Sequence, residues 1–433
     1  MSRTGDSGEA VLERVRELPG GGELLRVVAD RGDAELIGGA TRDLLLERAP
    51  RELDVLVAGD AEELAKALAG ALSADSHATA RRDVQLSAHE RFGTALVVWD
   101  GGRVDIATRR AESYASPGAL PDVRPGTPED DLRRRDFSVN AIAVALAGAN
   151  AGRLRAAPEA LEDLRAGRLR VLHERSFIDD PTRLLRLARY RARLGFEVEP
   201  HTAALAAEAL EKGALGTVSP ARLGAELRLA LSEEEPLASL SSLAELGVLA
   251  ALDPPLRFGE TLARRGLAAL PADGRRDLLL LASLLASIDC AGSDARQATM
   301  RAFLDRLEFG AAERDRAIAA ALQSVPLLER LAAAGTPSQL RKAIGAAPPE
   351  AIALAGALDD DQDSGRAAAG ARRWLAELRH VQLRISGDDL LAAGLAPGPE
   401  IGRRLGAVLD MRLDGALGDS PEAQLRAALE LAS

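Results

Sequence analysis

The chain has 433 residues, 47% of them hydrophobic and 28% charged, with a net charge of −11 and a single cysteine, Cys290. That length exceeds one compact core and implies two to four domains, while a lone thiol excludes an internal disulfide and a thiolate zinc cluster. No long uncharged apolar run is present and Met1–Val11 lacks the apolar core of a signal peptide, so a cytosolic protein without a membrane segment is expected.

In chain order, residues 8–30 predict an amphipathic helix closed near Pro19-Gly20-Gly21-Gly22 and a second, shorter one. An alternation follows: strand Glu35–Ile37, helix Thr41–Glu47, strand Glu52–Val57, helix Ala61–Leu72, strands Val84–Leu86 and Thr94–Trp99, a Gly101-Gly102 turn and strand Arg103–Ala107. This order predicts a small mixed sheet with helices packed on one side. Tyr114–Pro128 holds four prolines and two glycines without periodicity and predicts a mobile loop. A helix is expected to begin within Leu132–Ala141, and after Glu129 almost everything reads as helical, with Leu and Ala at three- and four-residue spacing to the C-terminus. The acidic run Asp359-Asp360-Asp361-Gln362-Asp363 predicts a solvated loop between helices. The fold class expected is an α/β head with a small mixed sheet, residues 1–148, followed by an all-α neck, 149–232, and an all-α body and tail, 233–433.

The chemistry is concentrated in the head. An apolar strand runs into Gly38-Gly39, and a helix then opens with Arg42 and Asp43. Glycines let a backbone approach an anion closely, and amides at a helix start favour negative charge, so this turn predicts a phosphate cradle. Glu52 and Asp54 stand two apart on a strand, which points both carboxylates to one face and suits a single hard cation. Asp105 lies between apolar Val104 and Ile106; if its strand runs beside Glu52–Val57, a third carboxylate joins the pair. Three carboxylates around magnesium suit in-line phosphoryl or nucleotidyl transfer. Each acid taken singly is equally consistent with an exposed strand edge.

Two basic segments follow, Arg133-Arg134-Arg135-Asp136 and Asp179-Asp180-Pro181-Thr182-Arg183 with Arg186 and Arg189. Pro181 fits the first helical position and Asp180 the N-cap before it. Arg183, Arg186 and Arg189 form a slanting row that faces something polar, while Leu184, Leu185 and Ala188 pack. Between Arg133 and Arg193, 14 arginines stand against 7 acids, a local balance of +7 in an acidic chain. Such a patch is compatible with an RNA backbone.

Together these segments resemble the bacterial-type (class II) tRNA nucleotidyltransferase and poly(A) polymerase family of the polymerase-β nucleotidyltransferase superfamily. The resemblance runs from about Glu35 to Arg228 and returns in Ile385–Leu390 and Pro397–Gly402. It implies that Gly39 and Arg42 contact the incoming nucleotide, that Glu52 and Asp54 are the acidic pair, and that Arg134-Arg135-Asp136 place Arg135 at the nucleotide. It also implies that Asp163–Gly167 connect head to neck and that Asp179, Asp180 and Arg183 read the base, with Arg186 and Arg189 continuing the motif. Cytosine and adenine each carry an amino donor beside a ring-nitrogen acceptor, so a carboxylate with a guanidinium accepts both and rejects guanine and uracil.

The activity so implied is template-independent addition of C, A or both to tRNA 3′ ends from CTP and ATP, with Mg2+ as cofactor and tRNA as partner. Poly(A) polymerase is the enzymatic alternative, and a catalytically impaired RNA- or nucleotide-binding protein the alternative of another class. Two departures bear on the choice: the family's Asp-x-Asp is Glu52-Leu53-Asp54 here, and the Glu that opens its base-reading motif is Asp179. No HD-type metal motif stands in the helical region, so no added phosphohydrolase activity is expected.

Overall fold

Buried apolar residues at every second position build the sheet that carries the candidate site. The computed structural model describes residues 7–74, 83–89, 93–359 and 365–431, and the chain divides into two units, Met1–Ser219 and Pro220–Ser433. In the first, α1 (Gly8–Glu17) and α2 (Gly21–Val27) precede β1 (Glu35–Ile37), α3 (Gly39–Leu45), β2 (Leu53–Val57), α4 (Ala61–Ser73), β3 (Val84–His89), β4 (Thr94–Trp99) and β5 (Gly102–Thr108). Ala95, Val97 and Trp99 of β4, Val104 and Ile106 of β5, and Leu53, Val55 and Val57 of β2 are all buried. Helix α4 packs on β3, β4 and β5 and buries Leu64, Leu68 and Leu72. Its start is set by Asp60, whose side chain accepts from the Glu62 amide at 2.8 Å.

Three expectations change. The irregular stretch expected over Tyr114–Pro128 contains a strand: β6 (Arg110–Ser113) pairs antiparallel with β7 (Asp122–Pro125) in register Ala111↔Arg124 and Glu112↔Val123. Proline is compatible with such an edge ribbon because it need not donate to a ladder. Gly118, between them, donates its amide to Ile178 O at 3.2 Å.

The helix expected to begin within Leu132–Ala141 instead ends there. It is α5 (Pro128–Arg133), started early by a capping box between Thr127 and Asp130 with Pro128 in its first turn. Past it the backbone extends at Phe137, makes one 3₁₀ turn at Ser138–Asn140, and enters β8 (Ile142–Ala145) and β9 (Leu154–Ala156). The region after Glu129 therefore supplies two further strands to the main sheet. All four residues of β8 are buried, so it shows no alternation by which sequence reading could find it.

The completed sheet has seven strands in the order β3-β4-β5-β2-β1-β8-β9. Only β2 and β5 run parallel, and every other neighbouring pair is antiparallel. Four helices close the first unit: α6 (Ala160–Ala166), α7 (Ser176–Asp179), α8 (Thr182–Leu194) and α9 (Pro200–Glu211), with the short parallel pair β10 (Arg168–Leu169) and β11 (Glu197–Val198) among them.

The described residues of the second unit form helices and no strand, from Pro220–Leu231 to Pro421–Glu430. Its core centres on helix Arg276–Leu285, in which every residue from Leu278 to Leu285 is buried. A smaller cluster of Ile385, Leu390, Val408 and Ala428 lies toward the C-terminal end. The acidic run beyond Asp359 lies outside the described residues. No described helix is long and apolar enough to cross a membrane.

Candidate active site

The β1–α3 turn has the geometry its glycines allow. Gly38 sits at φ 73°, ψ −136°, a conformation that L side chains rarely adopt. A Cβ there would lie 2.6 Å from Arg135 Nη1 and 3.6 Å from Asp54 Oδ2. Glycine is therefore required both for the turn and for the approach of Arg135.

Beside this turn the parallel pairing of β2 with β5 sets Asp54 opposite Asp105, and Glu52 immediately precedes β2. One oxygen from each of Glu52, Asp54 and Asp105 lies within 4.8 Å of the others. All three are partly exposed. An all-oxygen donor set of this kind fits a hard divalent cation. Burial pushes the Asp54 carboxyl up to about 7, with Arg135 opposing and Glu52 and Asp105 adding to the rise. Arg103, one turn of the pleat before Asp105, reaches into the cluster. Its Nε donates to Asp105 Oδ2 at 2.8 Å and its Nη2 to Oδ1 at 3.1 Å, and Nε lies 3.3 Å from Glu52 Oε2.

Arg42 is placed differently from a side chain reaching for solvent. It is 1% exposed; Nε and Nη2 both donate to Asp43 Oδ1, at 2.8 and 2.7 Å, and Nη1 donates to Asn140 Oδ1. Its guanidinium also lies 5.3 Å from the Tyr190 ring centroid. Asp43 in turn pairs with Arg193 of α8 at 3.3 Å.

The Arg-Arg-Asp segment splits toward two partners. Arg135 leans over Gly38 and pairs with buried Asp131 at 3.1 Å, whereas Arg134 pairs with Asp131 at 2.7 Å and with Glu112 at 3.0 Å. Asp136, 8% exposed, is a four-bond hub. Its Oδ1 accepts from Phe137 N at 2.8 Å and Asn140 Nδ2 at 2.9 Å; its Oδ2 accepts from Arg186 Nε at 2.8 Å and Nη2 at 2.7 Å. Burial works against that charge, yet Arg186 and the Asn140 bond outweigh it and hold the carboxyl down to about 2.

The arginine row on α8 does face polar groups, and these belong to the protein itself. Arg183 and Arg189 are buried along with Leu184, Leu185 and Ala188. Arg183 Nη1 donates to Ser176 Oγ at 2.7 Å and Nη2 to the Arg134 carbonyl at 2.6 Å. Asp180 Oδ1 accepts from Thr182 N at 3.1 Å and Thr182 Oγ1 at 2.6 Å, but α8 begins one residue later than expected: Pro181 is its N-cap and Asp180, the C-cap of α7, braces the turn before it. A cavity of about 330 Å³ opens beside these groups, with Glu112, Tyr114, Arg134, His173, Asp179 and Arg183 among its lining. Asp179, the last residue of α7, lines the cavity with Arg183. Burial pushes the Tyr114 hydroxyl up to about 12, with Arg183 opposing and Glu112 adding.

The structure therefore gathers Glu52, Asp54 and Asp105 with Gly38 and Arg135 in one place, ties Asp136 to Arg186, and ties Arg183 to Ser176 and the Arg134 carbonyl. Sequence reading missed Arg103, Asn140, Tyr114 and His173. Arg103 carried a usable signal, since it stands two residues before Asp105 and so shares its strand face; Asn140 lies four residues after Asp136, which it bonds, and Tyr114 and His173 come from other segments and carried none.

The Poly A polymerase head domain family matches residues 34–170. A CC-adding tRNA nucleotidyltransferase of Deinococcus radiodurans is 33% identical over 411 residues, covering 94% of this chain and 92% of the relative. An A-adding tRNA nucleotidyltransferase of Halalkalibacterium halodurans is 41% identical over 222 residues, and there the match spans 50% of this chain and about half, 49%, of the relative. Among solved structures, the Thermotoga maritima CCA-adding enzyme complexed with tRNA superposes with a TM-score of 0.75 at 27% identity, covering 98% of each chain.

Proposed function

Because the chain belongs to the tRNA nucleotidyltransferase family, we propose that it extends tRNA 3′ ends with C, A or both, using CTP and ATP and releasing pyrophosphate. The observation that carries this reading is the Asp54↔Asp105 register, which brings three carboxylates beside the Gly38 turn and Arg135. Glu52, Asp54 and Asp105 would hold magnesium; the bound metal makes the primer 3′-hydroxyl easier to deprotonate and stabilises the leaving pyrophosphate. Gly38, Gly39 and Arg135 bind the triphosphate. Arg42, enclosed by Asp43 and Asn140, keeps the Gly38-Gly39 turn in place for it.

The cavity at Arg183 seats the nucleobase, whose ring nitrogen meets Arg183 and whose amino group meets the carboxylate of Asp179, which lines the cavity, or of Asp180 next to it in the chain. Asp136 with Arg186 keeps α8 in register with the Arg-Arg-Asp segment, and Arg189 lies buried on the same helix. The helices from 149 to 232 serve base and RNA binding, and those from 233 onward grip the tRNA body, in the cytosol.

The test is incubation of purified protein with magnesium and tRNAs ending before the tail, after C and after CC, each with a single labelled nucleotide. Extension of at least one of them by C or A is expected. No extension and no pyrophosphate with any of them would refute the proposal, and long A tracts on any RNA would favour poly(A) polymerase.

A further inference from the structure

Arg183 has five N–H donors in a rigid fork. Nη1 and Nη2 bind Ser176 Oγ and the Arg134 carbonyl, at 2.7 and 2.6 Å. A further contact comes from His173, whose Nε2 lies 3.4 Å from Arg183 Nη1. A guanidinium cannot accept a hydrogen bond, so Nε2 must, which places the imidazole proton on Nδ1. That nitrogen lies 4.0 Å from Asp179 Oδ2. His173 thus stands between two groups of opposite charge that line the cavity. With three of the five donors occupied, the fork cannot rotate, and it presents the remainder in one direction.

We propose that His173 is a positioning residue for base selection: its neutral imidazole fixes Arg183 on one side and faces Asp179 on the other, so that the cavity offers one donor and acceptor pattern to the incoming nucleobase. This rests on the base-reading role assigned to Arg183 above. A preorganised fork discriminates better than a mobile one, because a mobile guanidinium turns its spare donors toward the carbonyl of uracil as readily as toward the ring nitrogen of cytosine.

The charges around the imidazole set how protonation acts. Arg183 faces Nε2 and Asp179 faces Nδ1, with Arg175 holding Asp179 at 3.0 Å. The cavity is also lined by Glu112, Tyr114, Arg124, Asp130, Arg133 and Arg134. An added proton on Nε2 removes its acceptor and sets a cation against Arg183. Burial and Arg183 both hold the imidazole below its ordinary value, so the neutral form prevails at neutral pH.

The experiment measures kcat/KM for CTP and UTP on a tRNA primer, from pH 5.5 to 8, for wild type, His173→Ala, His173→Gln and Arg183→Ala, with the melting temperature of each. Gln can place an oxygen where Nε2 stands, so it restores the acceptor without titrating. The C:U ratio is expected to fall about 10-fold in His173→Ala, the worth of one hydrogen bond to a charged group, and to be restored in large part in His173→Gln. Wild type should lose selectivity as pH falls, and His173→Gln should not. A wild-type C:U ratio in His173→Ala, while Arg183→Ala loses it, overturns the role of His173 and leaves base reading standing. An unchanged ratio in Arg183→Ala overturns base reading itself. A lower melting temperature with an unchanged ratio makes His173 structural and also overturns the proposal.

Discussion

Asp136 offers the most quantitative test of how the first unit is held together. Three residues supply it with four donor groups, two on each oxygen. Asparagine keeps one acceptor oxygen and turns the other into an NH2 group, so in either flip a donor pair meets a donor. Asp136→Asn therefore faces Arg186 or the Phe137 and Asn140 side with an unsatisfied buried contact. The carboxyl is held down to about 2, against an ordinary 3.8, and that shift corresponds to about 2 kcal/mol of native-state stability. Losing the acceptor for Arg186 brings the expected cost at neutral pH to about 2–4 kcal/mol. The sign follows from the depressed value: the contribution is fully present above the unfolded carboxyl's range and is lost as pH falls from about 4 through about 2. Urea unfolding followed by Trp99 fluorescence, in a Trp374→Phe background so that the signal reports the first unit alone, measures it at pH 7 and again at pH 3. The stability gap between the parent and the Asp136→Asn variant should be wide at pH 7 and shrink with acid. A variant as stable as its parent at pH 7, or a gap that does not narrow with acid, would refute the hub.

Asp54→Ala should abolish nucleotide incorporation with the circular dichroism spectrum unchanged, since Asp54 is a partly exposed strand residue with a role in the carboxylate cluster and none in the core; near wild-type turnover would remove the metal assignment. Gly38→Ala should cost about 1–3 kcal/mol from its positive φ and should also raise the Kd for CTP by displacing Arg135, so an unchanged Kd measured by calorimetry would separate Arg135 from the triphosphate. Glu52→Asp withdraws the carboxylate by roughly 1.5 Å, a large step against a magnesium–oxygen distance of about 2.0–2.1 Å. Because Glu52 already spans to Arg103 at 3.3 Å, the site is built around the longer side chain and incorporation should fall; equal or higher activity in single-turnover assays would show instead that Glu52 is a strained substitute.

Much of the head was legible because period-2 reasoning suffices for half-buried strands. Val104 and Ile106 around Asp105 gave its face, and the Glu52/Asp54 spacing gave theirs. Strand β8 was not legible, since Ile142–Ala145 is buried throughout and reads equally as helix. The early start of α5 is encoded in Thr127-Pro128, a capping signal masked by the run of arginines that follows it. Arg42, Arg183 and Arg189 illustrate a different limit: arginine reads as exposed by default, and their burial follows only when distant acceptors, such as Asn140 for Arg42 and the Arg134 carbonyl for Arg183, are brought together by the fold.

That burial also changes what the local excess of arginine means. The +7 balance between Arg133 and Arg193 suggested a surface for phosphates, yet Arg134, Arg135, Arg183 and Arg186 are each held by carboxylates, a hydroxyl or a carbonyl within the unit. Guanidinium suits that use because its planar fork satisfies several acceptors at once and stays charged when buried. The arginines of this segment therefore differ in exposure: Arg183 and Arg189 are buried, Arg134, Arg135 and Arg186 are half-buried in ion pairs, and Arg133, Arg153, Arg165 and Arg175 are exposed.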